Sequence, residues 1–109
     1  MTKVHLLGAN RSYDRSVQTV SVNQVVMLEG YNYDSYVVYE VSRNEWGITY
    51  HLINLQTHEF HTSDLIRPLS EKFGIGIYYD DTNPKFLDPL ETAVLLTEAK
   101  EKKAEAERS

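Results

Sequence analysis

Three of the four histidines in this 109-residue chain lie within eleven positions: His51, His58 and His61, the last two inside THEFH at 57–61. Imidazole is a common zinc ligand, so the first question is whether these rings converge. A closed zinc site takes four ligands and a catalytic one three from protein. Along a strand, side chains alternate between faces. His58 and His61 are three apart and are expected on opposite faces, with His51 across a hairpin from one of them. That leaves at most two imidazoles on a face, and Glu59 or Asp64 could add another only through a bulge. The spacing also differs from the H-E-x-x-H of helical zinc proteases. The reading is hairpin histidines with no metal.

Ser63, His61 and Asp64 contain the residue types of a nucleophile, a base and its orienter. Neighbours on a strand diverge, however, and no G-x-S-x-G elbow exposes a serine. Asp64 or Ser63 is expected to cap a turn instead. YYDD, Tyr78 to Asp81, offers adjacent carboxylates that could bind a divalent cation or transfer a proton, but before TNP they read as a solvated turn. FGIGI has a G-x-G without the third glycine or a following helix, so it is no phosphate loop. No constellation of nucleophile, base and stabiliser emerges, and neither an enzyme nor a cofactor is expected.

The elements that carry these residues read mainly as strands. QVVMLEG at 24–30, YVVYEVS at 36–42, ITYHLIN at 48–54, EFHTS after a short hairpin loop, and FGIGIYYDD are the strand signals. In the second, Tyr36, Val38 and Glu40 alternate against Val37, Tyr39 and Val41. In the third, Ile48, Tyr50 and Leu52 alternate against Thr49, His51 and Ile53. KVHLL near the start and SVQTVSVN, with Val20 and Val22 on one side, are weaker. The glycines of FGIGI point to a bend or a close backbone approach. DLIRP turns away, and YNYDSY at 31–36 is an aromatic loop.

The last element begins with a helix signature, DPLE at 88–91: Asp88 as cap, Pro89 in the first turn, and Glu91 closing a capping box. Leu90, Ala93, Val94 and Thr97 share one face, expected to dock. Beyond Glu98 the chain is Ala, Glu and Lys, good helix formers without an apolar face. The organisation expected is one small domain at 1–97, with a barrel at about 17–80 and a docked helix at 88–97, followed by a charged, solvent-exposed helical tail at 98–109.

Composition narrows the class. With 41% hydrophobic residues the chain can build one modest core, and with no cysteine it has neither disulfides nor thiolate chemistry. No signal peptide or membrane-length apolar run is apparent, so a soluble, cytoplasmic protein is expected. The tail holds four acids and four bases, leaving 12 acids against 7 bases in 1–97, the whole net charge of −5. That balance disfavours nonspecific binding to phosphate backbones.

From GITYHLINLQTHEFHTSDLIRPL the pattern resembles the second half of an SH3-like barrel: a long hairpin with Thr57 in its turn, Glu59 after it, and a short turn at SDLIRP leading to one more strand. YNYDSY resembles the acidic-aromatic loop of SH3 and Tudor-type domains. The likeness covers about 24–79. With the helix at 88–97, it implies an α+β fold, mainly β with a C-terminal helix, as an SH3-like small barrel or a rolled antiparallel sheet of five to six short strands. Trp46 stands alone where peptide-binding SH3 domains have a tryptophan pair, so their proline-ligand groove does not carry over. The fold itself does not choose a function.

Aromatic residues supply the strongest functional signal. Tyr31, Tyr33, Tyr36 and Tyr39 fall within nine residues, beside Asp34 and Glu40. Tyrosine suits half-buried sheet faces, and it is also enriched with tryptophan at protein interfaces. The expectation is a noncatalytic protein-interaction or accessory module. It would bind a protein or peptide, favouring a basic one, through Tyr31, Tyr33, Asp34, Tyr36, Tyr39 and Trp46. The alternative is a nucleic-acid-associated module of a phage or mobile element, using Arg11, Arg15, Arg43, Lys72 and Lys85 as a patch.

Overall fold

The computed structural model describes residues 16–30 and 34–108. KVHLL lies outside them. Six strands form one open sheet in the order β4-β3-β2-β1-β6-β5. They are β1 (Val25–Glu29), β2 (Ser35–Asn44), β3 (Gly47–Asn54), β4 (Phe60–Ser63), β5 (Arg67–Pro68) and β6 (Gly76–Tyr79), followed by helix α1 (Pro89–Arg108). The fold is therefore mainly β with a single C-terminal α-helix among the described residues. β1 to β4 run antiparallel to their neighbours, and β6 returns antiparallel to β1. The sheet is mixed rather than wholly antiparallel, because the two residues of β5 pair in parallel with β6. The sequence signalled only a turn there, since a two-residue strand carries no periodicity.

The sheet has two packed faces. Val26, Tyr36, Val38, Ile48, Tyr50, Leu52 and Ile77 bury into one inner cluster with Val20 and Ile66. These residues come from four strands and two connecting segments, so the sheet curls to bring them together. Each fully buried aliphatic side chain contributes about 1.5–3 kcal/mol. Val20 is buried but Val22 is 43% exposed, and their segment runs as turn and bend instead of strand. Thr19 ties this segment across the roll: its amide donates to Tyr50 Oη at 2.8 Å and its hydroxyl to Ile66 O at 2.8 Å.

The alternation expected for β3 holds, with Ile48, Tyr50 and Leu52 inward. In β2 it breaks. Val38 pairs with Leu52 and Glu40 with His51, so Tyr39 is an extra residue in a bulge. The bulge resets the parity. Tyr39 stays on the outer face and Glu40 is exposed, while Val41 rejoins the inner cluster instead of lying with Val37.

Helix α1 covers the outer face through a second cluster of Val37, Ile53 and Ala99, flanked by Tyr39, Leu55, Phe60, Leu87, Leu95 and Leu96. Its start is capped as the sequence indicates: Leu90 N donates to Asp88 Oδ1 at 2.9 Å, and Asp88 N to Glu91 Oε1 at 3.3 Å. The docked face differs from the expected one. Leu90 and Val94 are 72% and 50% exposed, whereas Ala99, placed in the solvent-exposed tail by its sequence, is 1% exposed. The helix has apolar residues on two faces, and the small Ala99 lets its backbone approach the sheet closely. Docking therefore runs a turn beyond residue 97. No helix of the described residues is long and apolar enough to cross a membrane.

Candidate functional site

The hairpin between β3 and β4 sends the three histidines to different places. Asn54 opens its turn, accepting from Gln56 N at 2.7 Å and Thr57 N at 2.9 Å through Oδ1. Asn54 O accepts from His58 N, while Asn54 N donates to Glu59 O. With φ at 63°, His58 occupies the left-handed position of a bulge usually given to glycine. His61 stacks against Tyr36 at 5.3 Å between ring centroids. His51 lies on the outer face near Tyr39, its Nε2 2.9 Å from Ser42 Oγ. Sequence reasoning missed this Ser42–His51 contact, because a diagonal cross-strand neighbour is visible only once the bulged register is known. Among the described residues, no three His, Cys, Asp or Glu side chains gather as metal ligands.

The other candidate chemistry is engaged in turns. Ser63 Oγ donates to Leu65 O at 2.8 Å and accepts from Leu65 N at 3.2 Å. Asp80 accepts from Asn83 N at 2.9 Å and Thr82 N at 3.1 Å. Asp81 accepts from the Ser70 hydroxyl and amide. Hydrogen bonds to Asn83 and Ser70, respectively, hold the carboxyls of Asp80 and Asp81 below their ordinary range. The glycines of FGIGI fit the expectation of a bend and a close approach. Gly74 has φ at 77°, and a Cβ on Gly76 would sit 3.0 Å from the Arg67 guanidinium.

The described members of the expected binding set lie apart from one another. Tyr31 and Tyr33 lie outside the described residues. Asp34 is half-buried and accepts from Asn54 Nδ2 at 3.1 Å. Tyr36 belongs to the inner core at 5% exposure, and its burial pushes the phenol up. Tyr39 is half-buried on the opposite face, its ring 5.7 Å from Phe60 edge-on, and burial raises its phenol as well. Trp46 is 77% exposed in the β2–β3 turn, at the far end of the hairpin from Tyr36. The described cations are also dispersed. Arg43 donates to Gln18 Oε1 at 2.7 Å near the tip of β2, Lys72 pairs with Glu29 at 2.7 Å at the end of β1, and Lys85 lies 3.5 Å from Asp80 near its start.

Two concave features flank α1. The first is a groove of about 450 Å³ lined by Leu55, Leu87, Leu90, Glu91, Val94 and Leu95. It adjoins the start of β2, because Leu55 N donates to Ser35 O at 2.9 Å and Ser35 N to Gln56 Oε1 at 3.1 Å. The second is a cleft of about 320 Å³ at the other end of the helix, where His58, Glu59 and Phe60 face Ala99, Lys102, Lys103 and Ala106. The groove is a surface for apolar side chains with an acid at its rim. No family model matches the chain, and no curated protein or solved structure shows a significant match to it.

Proposed function

We propose that this protein is a noncatalytic interaction module, an SH3-like fold built as an open, curled sheet, that receives an apolar segment of a partner protein on α1. One observation carries the reading: Leu90 and Val94, on a helix whose opposite face is docked, stand 72% and 50% exposed beside Leu55 and Leu87. Contiguous apolar surface of this kind marks interaction sites in soluble domains. A helix that already buries one side against the sheet does not need a second apolar side for its own stability. Glu91 in the groove, with Asp88 three residues before it, favours a partner segment that carries basic residues beside its apolar anchors.

The SH3-like assignment draws support from the strand order. Four consecutive antiparallel strands are followed by a 3-10 turn at Leu69–Glu71 and a last strand paired back onto the first. Ser35, at the start of β2, stands next to the groove through its bonds to Leu55 and Gln56. Tyr36 and Trp46 act elsewhere, in the core and at the hairpin tip. A photoreactive residue at position 90 tests the reading: it should crosslink a protein in source-cell lysate that the same residue at position 46 does not. Crosslinking to nucleic acid alone, or equal products from both positions, would overturn it.

A further inference from the structure

The cleft at the C-terminal half of α1 lies against a strand with an open side. β4 ends the sheet, paired only with β3 among the described residues. Its register fixes which backbone groups are free. Asn54 N donates to Glu59 O, and Ile53 and Leu52 then lie opposite Phe60 and His61. Hydrogen-bonded pairs alternate in an antiparallel ladder, so Leu52–His61 and Tyr50–Ser63 are the bonded pairs. The amides and carbonyls of Phe60 and Thr62 therefore point away from β3, along the free edge.

The charge around this edge is sorted. The last twelve residues balance to zero, yet of their eight charged side chains only Lys102 and Lys103 line the cleft. Lys102 is anchored by Thr57 O and Lys103 sits 5.7 Å over the Phe60 ring, so both ammonium groups are placed before any ligand arrives. His58 adds a third nitrogen-bearing side chain, against the one carboxylate of Glu59. Phe60 and Thr62 share the outer face with Ile53 and His51, the side on which α1 lies.

From this juxtaposition we propose that β4 takes up an extended segment of an acidic partner as a seventh strand, with carboxylates at alternate positions reaching Lys102 and Lys103. Main-chain bonds to Phe60 and Thr62 supply pairing, and the lysines supply selectivity. An added strand lies about 4.8 Å from β4. Every second side chain of it then faces the helix, which sets the spacing of acids in the partner. This surface is separate from the Leu90 groove, so either can fail without the other.

The test is an amide NMR titration of the full chain with two synthetic peptides, seven residues of alternating Thr and Glu and the same peptide with Lys for Glu. The acidic peptide should shift the amides of Phe60 to Ser63 and slow hydrogen exchange at Phe60 and Thr62. Lys102→Gln with Lys103→Gln, both good helix formers, should weaken it about tenfold, and Leu90→Glu should leave it unchanged. Equal binding of the basic peptide, shifts confined to the Leu90 groove, or no response in the β4 amides at millimolar peptide would each overturn the proposal.

Discussion

The hydroxyl of Tyr78 holds both backbone groups of Phe73, accepting from its amide at 3.0 Å and donating to its carbonyl at 2.8 Å. Arg67 donates to the same oxygen at 3.2 Å, and the Tyr78 ring is fully buried. One phenol thus closes the loop ahead of β6 while its ring fills the sheet. Tyr78→Phe keeps the ring and leaves the Phe73 amide without this acceptor. It should cost about 1–3 kcal/mol in chemical denaturation and accelerate hydrogen exchange at Phe73. An unchanged midpoint would mean that water replaces the phenol without loss.

His58 carries a different strain. At φ 63° a side chain with a Cβ is disfavoured by about 1–2 kcal/mol, part of which glycine recovers despite its larger entropy loss. His58→Gly should therefore stabilise the domain by about 0.5 kcal/mol, and His58→Val should destabilise it. Thermal melts of the two variants moving in the same direction would contradict this account of the hairpin.

Ala99 fixes the helix to the sheet. It is 1% exposed between Val37 and Ile53, so Ala99→Asp places an unpaired charge in that contact at a cost of about 3 kcal/mol or more. Hydrogen exchange should quicken along α1 while the β1–β3 amides retain protection. Uniform loss of protection would show that sheet and helix unfold as one unit.

Much of this architecture was legible because it follows period two. Ile48, Tyr50 and Leu52 point inward as their spacing requires, and DPLE capped the helix where its chemistry demands. Two features were not legible. The bulge at Tyr39 has no residue signature, and it redirected Val41 inward and left His51 beside Ser42. The helix carries apolar residues on two faces, Leu90 and Val94 on one and Leu95, Leu96 and Ala99 on the side that packs, so periodicity alone does not choose between them. For the same reason ring count does not distinguish Tyr36, whose ring fills the core, from a residue that meets a partner.

Acid and base should destabilise the domain through different groups. The carboxyls of Asp80 and Asp81 titrate below the ordinary aspartate range in the folded chain. Their contribution is present above that range and is lost as pH falls through it toward the folded values. The phenols of Tyr36, Tyr39 and Tyr79 are raised, chiefly by burial, so their contribution is lost as pH climbs from the ordinary phenol range through the folded values. Urea midpoints should fall at both ends. Asp81→Asn should flatten the acid limb alone, and an unaltered acid limb in that variant would remove Asp81 from the account.

The proposed function rests on the apolar groove on α1. Leu90→Glu with Val94→Glu changes only exposed side chains and should alter stability by no more than about 0.5 kcal/mol per site. The direct measurement is affinity capture from nuclease-treated source-cell lysate, with the wild-type chain and this double variant as baits. A protein partner should survive nuclease, be captured by the wild type, and be lost from the equally folded variant. Capture of the same partner by both baits, or loss of every partner on nuclease treatment, would contradict it.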